Sequence, residues 1–248
     1  MKIGITGCTG RVGALLVSEL LSGNWEGLSL AGGTARGKDH GYDFFVTDDA
    51  AALFEASDLV IDFTTPEATR EHIKLAAATG TPMVIGTTGL SAEDEATLKE
   101  AAQKAPIVYA SNTSVGITLL LDLVQKAAAT LGSDWDIEIF EAHHKHKIDA
   151  PSGTALSLGK AAQAGRNGGE FVHERTGKRQ AGDIGYAVSR GGDVVGEHDV
   201  TFFAEGERLT LSHKATNRAL FARGALRAAT WLAGQKSGLY SMKDVLGL

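Results

Sequence analysis

The stretch that most restricts the fold of this chain lies at its start. Lys2-Ile3-Gly4-Ile5-Thr6 reads as a short strand, and Arg11–Leu21 places Val12, Leu15, Leu16 and Leu20 at helical spacing. Between them runs Gly7-Cys8-Thr9-Gly10-Arg11-Val12-Gly13. Glycines in a strand-to-helix turn let the backbone bend tightly, and the N–H groups of the helix start converge where a pyrophosphate would rest. The spacing is GxxGxxG rather than GxGxxG, so by itself it suits either a dinucleotide site or a merely tight turn. Its place between the first strand and the first helix favours the dinucleotide. Arg11 meets either a phosphate or solvent. Cys8 reads as a small residue tolerated by the turn, because no base lies near it in sequence.

Strand and helix signals then alternate. Leu28–Ala31, Asp58–Phe63, Met83–Ile85 and Ile107–Ala110 read as strands. Pro66 opens the helix after the second of these, Gly86-Thr87-Thr88-Gly89 ends the third, and Ser91 with Asp94 forms a capping box for a helix running to about Gln103. Repeated units of this kind predict an α/β fold with a parallel sheet covered by helices, a Rossmann-like dinucleotide-binding domain. After Asn112 the pattern changes. Val115–Leu131 and Thr154–Ala164 read as helices and Ile137–Phe140 as a strand. Asp183–His213 reads as several strands turning at Gly191-Gly192-Asp193 and Glu205-Gly206-Glu207. That clustering predicts a second, α+β domain with a mixed sheet. Asn217–Leu232 returns to helix and packs back on the first domain. The expected boundaries are 1–114 with 215–248 for the dinucleotide domain and 115–214 for the substrate domain. Arg166–Gly182, polar and glycine-rich, is expected to be a long mobile loop.

Composition narrows the function classes. Hydrophobic residues make up 43% and charged residues 22% of the 248, an ordinary globular balance that buries a core without a disulfide or metal staple. A formal net charge of -6 argues against nucleic acid or an anionic membrane as the main partner. No apolar run approaches the roughly 20 residues of a membrane span. One cysteine excludes an intrachain disulfide and cysteine-based zinc sites. With a start that lacks a signal peptide's apolar core, it points to a reducing cytoplasm.

The end of the second strand bears on the form of the cofactor. A dinucleotide fold ordinarily places an Asp or Glu there to hold the adenine ribose, whereas this chain has Thr34-Ala35-Arg36. Loss of the carboxylate and a nearby arginine suit a 2′-phosphate, hence NADPH, with NADH also admitted.

Chemistry concentrates in Glu141–Ala155, EAHHKHKIDAPSGTA. Adjacent side chains on a strand point to opposite sides, so at most one of His143 and His144 faces a reaction directly. Lys147 can donate a proton or offset negative charge. Ser152, Gly153 and Thr154 open a helix whose N–H and hydroxyl groups suit a carboxylate. A metal site is the rival reading; the histidines lack an evident carboxylate partner and the lysines repel a cation, so no metal is expected. A structural polar loop is the other alternative.

This segment resembles the signature E-x-H-H-x-x-K-x-D-x-P-S-G-T-A of the 4-hydroxy-tetrahydrodipicolinate reductase (dihydrodipicolinate reductase) family, which acts in the diaminopimelate route to lysine. Met83–Gly89, Ala110–Gly116, Asp193–His198 and His213–Arg218 also look like family segments. The resemblance implies an NAD(P)H-dependent oxidoreductase that reduces a small cyclic dicarboxylate with loss of water. It implies His143 as proton donor or acceptor, Lys147 as proton donor, His144 lining the substrate site, and Gly153 and Thr154 on a substrate carboxylate. Cofactor contacts would fall on Gly7, Cys8, Thr9, Gly10, Arg11 and Val12, on Gly86, Thr87 and Thr88, and on Ala110, Ser111, Asn112 and Thr113. Thr34 and Arg36 stand where many relatives carry Glu-Arg, which leaves those contacts open. A homotetramer built through the second domain's sheet is a further implication. Two other classes fit the glycine turn: another small-substrate dehydrogenase, of the homoserine or aspartate dehydrogenase kind, and a nucleotide-sensing module without turnover. Neither needs the His-Lys-Pro-Ser-Gly-Thr constellation.

Overall fold

The computed structural model describes residues 1–37 and 41–248, which form two compact units: Met1–Val115 with Ala219–Gly247, and Gly116–Arg218. The first unit contains β1 (Lys2–Thr6), α1 (Arg11–Leu21), β2 (Ser29–Thr34), β3 (Val46–Thr47), α2 (Ala50–Ala56), β4 (Leu59–Asp62), α3 (Pro66–Thr79), β5 (Met83–Ile85), α4 (Ala92–Ala101) and β6 (Pro106–Tyr109). After α5 (Val115–Leu131), the second unit continues with β7 (Asp136–His143), α6 (Gly153–Arg166), β8 (Phe171–Val172), β9 (Ile184–Arg190), β10 (Gly196–Ala204) and β11 (Glu207–Ala215). The chain then returns to the first unit through α7 (Ala219–Leu232), β12 (Gly238–Tyr240) and α8 (Met242–Leu246).

The first sheet runs β12-β6-β5-β4-β1-β2-β3 and every pair in it is parallel. A parallel sheet is covered on both faces, so its central strands are continuous apolar runs; all four residues of Leu-Val-Ile-Asp in β4 are buried. Ile3, Ile5, Leu59 and Ile61 pack against Leu16 and Leu20 of α1 and Leu226 and Ala229 of α7. Val60, Met83, Ile85 and Ile107 pack on the other side against Phe54, Ile73 and Leu98. Each such side chain contributes about 1.5–3 kcal/mol by leaving water. Local chemistry sets the helix ends. Thr65 caps α3 with Pro66 in its first turn, Gly80 ends it in the left-handed region, and Ser91 and Asp94 form a reciprocal capping box on α4.

The second sheet is mixed, ordered β11-β10-β7-β9-β8, with β7 parallel to β9 and antiparallel to β10. One face is covered by α5 and α6, whose Val124, Leu158 and Ala162 pack on Ile137, Ile139, Val200 and Phe202. The period of two along β7 decides the site. The alternation that buries Ile137 and Ile139 also turns Glu141 and His143 to the covered face, while Phe140 points away and is exposed.

Two segments differ from the sequence expectation. The second strand extends from Ser29 to Thr34 rather than ending at Ala31, because Gly32 and Gly33 pair with β1 and Gly33 passes close under Cys8. Glycines that look like a break serve there as close-approach positions. Arg166–Gly182 is not an unanchored loop. Phe171–Val172 pairs with β9, Arg175 bridges Glu138 (2.5 Å) and Asp183 (3.0 Å), and Arg179 pairs with Asp136 (2.8 Å) and Glu138. Asp136 and Glu138, far away in sequence on β7, help to hold it, which local composition does not reveal. The short β3, α2, β12 and α8 carry sequence patterns too brief to anticipate.

Candidate active site

The glycine turn is built to leave room. Gly7 lies at φ 70°, in the left-handed region that favours glycine, and its carbonyl accepts the Gly10 N–H at 2.9 Å. A Cβ on Gly13 would stand 2.1 Å from the Gly7 carbonyl oxygen, so only glycine lets α1 start this close to the turn. Thr34 is tied into the turn from β2: its Oγ1 accepts the Gly7 N–H at 3.0 Å and its carbonyl accepts the Cys8 N–H. Cys8 is fully buried, and burial pushes its thiol pKa up, so it is inert. Thr9, Gly10 and Arg11 are exposed in front of α1, with Val12 half-buried behind them and Arg36 exposed beyond β2.

Gly86, Thr87 and Thr88 follow β5, and Ala110, Ser111, Asn112 and Thr113 follow β6. All of these segments therefore leave the carboxyl ends of parallel strands, where open α/β sheets bind ligands. Strand order reverses between β1 and β4, and there Gly7 meets Thr64 just beyond β4. The exposed Thr9–Arg11 in front of α1, the glycine cradle and the lack of an acid at Thr34–Arg36 fit a dinucleotide phosphate.

A polar network that local sequence does not announce underlies these loops. Fully buried Asp62 accepts from Thr64 Oγ1 (2.6 Å), pairs with His72 Nδ1 (3.0 Å) and is reached by Thr87 Oγ1 (3.4 Å), while the Thr64 N–H donates back to Thr87 Oγ1 (2.9 Å). It ties the loop after β4 to the loop after β5. Thr113 is fixed differently, its hydroxyl donating to the Phe221 carbonyl of α7 at 2.8 Å.

In the second unit, Glu141 is a hub. Its carboxylate lies 2.6 Å from His143 Nδ1, receives both guanidinium nitrogens of Arg190 (2.7 and 2.8 Å), and accepts the Ser152 N–H at 2.9 Å. Burial alone would raise the Glu141 pKa, but the bonds from Arg190, His143 and Ser152 outweigh it and hold the carboxyl below the usual range. The Arg190 guanidinium also donates to the Asp149 carbonyl at 2.7 Å, gripping the segment ahead of α6. His198, on β10 and in register with Glu141, has its ring 5.2 Å from that of His143, edge to face, and its Nε2 lies 2.9 Å from Ser152 Oγ. Burial, aided by His143, pushes His198 down to about 4, so it is neutral.

The remaining expected residues gather around this hub. Ser152 caps α6 by accepting the Ala155 N–H at 3.1 Å, and beside Gly153 the helix start is open, since a Cβ there would meet nothing within 4 Å. Thr154 stands in the same first turn, half-buried. Lys147 Nζ pairs with both Asp149 oxygens (2.7 and 2.9 Å). His144 departs from the line of the strand. Its N–H binds the Val194 carbonyl (2.7 Å), and its Nε2 accepts from Arg218 (3.0 Å). Burial, then the Arg218 charge, lowers its pKa. A Cβ on Gly196 would stand 2.9 Å from His143 Nε2, so glycine at 196 keeps that edge of the ring uncovered.

Sequence reasoning brought His143, His144, Lys147 and Ser152–Thr154 together and missed the roles of Glu141, Arg190, His198 and Arg218. Glu141 opens the motif itself, whereas Arg190 and His198 reach it through the pairing of β9 and β10 and Arg218 from beyond β11, and only the family-like segments at 193–198 and 213–218 hinted at the last two. The cluster presents an imidazole, an ammonium group and a cation-flanked helix start, which suits proton transfer to a carboxylate-bearing substrate.

Comparison with known proteins follows this division. Residues 1–113 match the model described as dihydrodipicolinate reductase, N-terminus, and residues 116–246 the model of its C-terminus. The 4-hydroxy-tetrahydrodipicolinate reductase of Zymomonas mobilis is 47% identical over 256 residues, covering 100% of this chain and 98% of the relative. That of Rhizobium rhizogenes is 51% identical over 268 residues, covering 100% and 97%. Among solved structures, a dipicolinate-bound dihydrodipicolinate reductase from Paenisporosarcina sp. TG-14 superposes with a TM-score of 0.83 at 26% identity, covering 98% of each chain.

Proposed function

The chain belongs to the dihydrodipicolinate reductase family, and on that premise we propose that it reduces 4-hydroxy-tetrahydrodipicolinate to tetrahydrodipicolinate with loss of water, in the diaminopimelate route to lysine. The observation that carries this reading is the seating of His143, Lys147 and the open start of α6 within one motif of the second unit. A bound nicotinamide supplies hydride to the substrate ring. Gly7–Val12, Gly86–Thr88 and Ala110–Thr113 would hold that cofactor, with Thr34 and Arg36 beside its adenine ribose. Because Thr34–Arg36 offers no acid to a ribose 2′-hydroxyl, NADPH is used substantially, with NADH accepted.

The chain's own residues do the rest. N–H groups of Gly153 and Thr154, at the positive end of α6, orient one substrate carboxylate, with the Ser152 cap fixing that turn. His144, held by Arg218, lines the same pocket. Lys147 and His143 handle the protons: elimination takes one from the ring carbon beside the hydroxyl-bearing carbon while one is given to the departing 4-hydroxyl, which leaves as water. The ring carbon that gathers negative charge as hydride arrives takes one back, so that each turnover consumes one hydride and one net proton. The lone cysteine supports a cytoplasmic setting. A homotetramer through the second sheet is supported by the face on which Phe140 stands 40% exposed.

The test couples the purified chain to the upstream synthase and follows NADPH and NADH oxidation separately. Turnover with both, NADPH the better by kcat/KM, is expected. No turnover with either overturns the reaction, and a strong NADH preference overturns the reading of Thr34–Arg36.

A further inference from the structure

We infer that Glu141, locked by Arg190, is the positioning residue that sets the proton-bearing edge of His143 and fixes the carboxylate seat at Ser152 in the same act. The inference rests on the proposed reaction only in taking His143 as a proton-transfer group. The Glu141 side chain meets His143, Arg190 and the Ser152 N–H, all within 2.9 Å and buried or half-buried. A carboxylate only accepts, so Nδ1 of His143 must carry a hydrogen toward Glu141. The neutral ring then has its lone pair on Nε2, the edge that Gly196 leaves uncovered, and that nitrogen gives or takes the reaction's proton.

Arg190 gives Glu141 its fixity. Both guanidinium nitrogens meet the carboxylate, and one also holds the Asp149 carbonyl, so strand β9 clamps β7 to the segment between Lys147 and Ser152. Through the Ser152 N–H the same carboxylate anchors the N-cap of α6, and His198 supports that residue from β10 at its hydroxyl. The charged and titratable groups facing His143 are thus Glu141 on its own strand, Arg190 on β9 and His198 on β10. Lys147 and Asp149 lie on the loop ahead of α6, and His213 acts on His198 from β11. Glu141 bonds the catalytic ring and the anion seat together, and His198 backs both from β10.

Replacing Glu141 by Gln tests this. The amide keeps an acceptor for the Ser152 N–H, but its NH2 group turned to His143 would demand the opposite ring tautomer, and it no longer stabilises an imidazolium. The full chain should bind NADPH as the parent does, turn over about 100-fold more slowly, and show the His143-dependent limb of its kcat–pH profile moved to lower pH. Arg190→Lys, which keeps the charge but loses the two-point grip, is measured alongside. It should move the same limb with a smaller fall in kcat, and it carries the test should Glu141→Gln not fold. A lowered Tm with an unmoved pH limb in these variants reduces Glu141 to a structural ion pair and overturns the inference. His143→Gln separates this from the function itself: if it retains turnover, the proton-transfer reading fails. If it is inactive while Glu141→Gln and Arg190→Lys keep the parent's kcat and profile, only the positioning role fails.

Discussion

In the first unit the candidate ligand surface is made of backbone and of side chains that are missing: Gly7 with its left-handed φ, Gly13 against the Gly7 carbonyl, and loops at the carboxyl ends of parallel strands. In the second unit it is made of side chains with fixed partners: His143 on Glu141, Glu141 on Arg190, His144 on Arg218 and Ser152 on His198. A backbone site grips any ligand that offers the right phosphate, so its design names a cofactor class. A side-chain site sets where protons and charge lie, so it selects a substrate. The two regions should therefore fail in different ways.

The largest expected effect lies in the first region. Gly13→Val would place a Cβ 2.1 Å from the Gly7 carbonyl oxygen and force the turn open. NADPH affinity, read by fluorescence titration, should fall at least about 100-fold, a loss of about 3 kcal/mol. A Kd within a few-fold of the parent would mean that the turn is not the cofactor's seat.

Gly196→Ala makes the mirror test in the second region. Its Cβ would press on His143 Nε2 from 2.9 Å, so kcat should fall roughly 10-fold, as misplacement of a reacting group by a fraction of an ångström implies. NADPH Kd should stay unchanged. A Kd that moved with kcat would erase the distinction between the regions.

A further effect concerns stability, spread over a range of pH. Burial holds His198 at about 4, below the ordinary 6.5, so the unfolded chain takes up this proton before the folded one. The stability it contributes is complete above about 6.5 and is lost as pH falls through about 4, on the order of 3 kcal/mol in all. His198→Gln should flatten the pH dependence of urea unfolding across that window. An unchanged slope would show that the ring is not the group responsible.

The same contrast explains what could be read from residues alone. Backbone sites leave local traces, so β1, α1, Pro66 at the start of α3, the Ser91–Asp94 box and the Gly7–Gly13 turn were all legible. In the second unit the run from His143 to Thr154 was legible because it is contiguous. Arg190 and His198 were not, because β9 pairs Arg190 with His143 and β10 pairs His198 with Glu141, partners far apart in the chain that no local spacing encodes. Arg166–Gly182 misled for the same reason, its arginines finding their carboxylates on β7. The Asp62–His72 pair stayed hidden because both residues sit inside ordinary-looking strand and helix patterns.

The measurement that bears most directly on this division is His143→Gln in the full chain, with NADPH Kd and single-turnover NADPH oxidation recorded on the same preparation. A Kd within about twofold of the parent and a rate constant lower by at least about 100-fold, the scale of a lost proton-transfer group, are expected. A rate within a few-fold of the parent, or a Kd that rises in step with the fall in rate, would contradict that division.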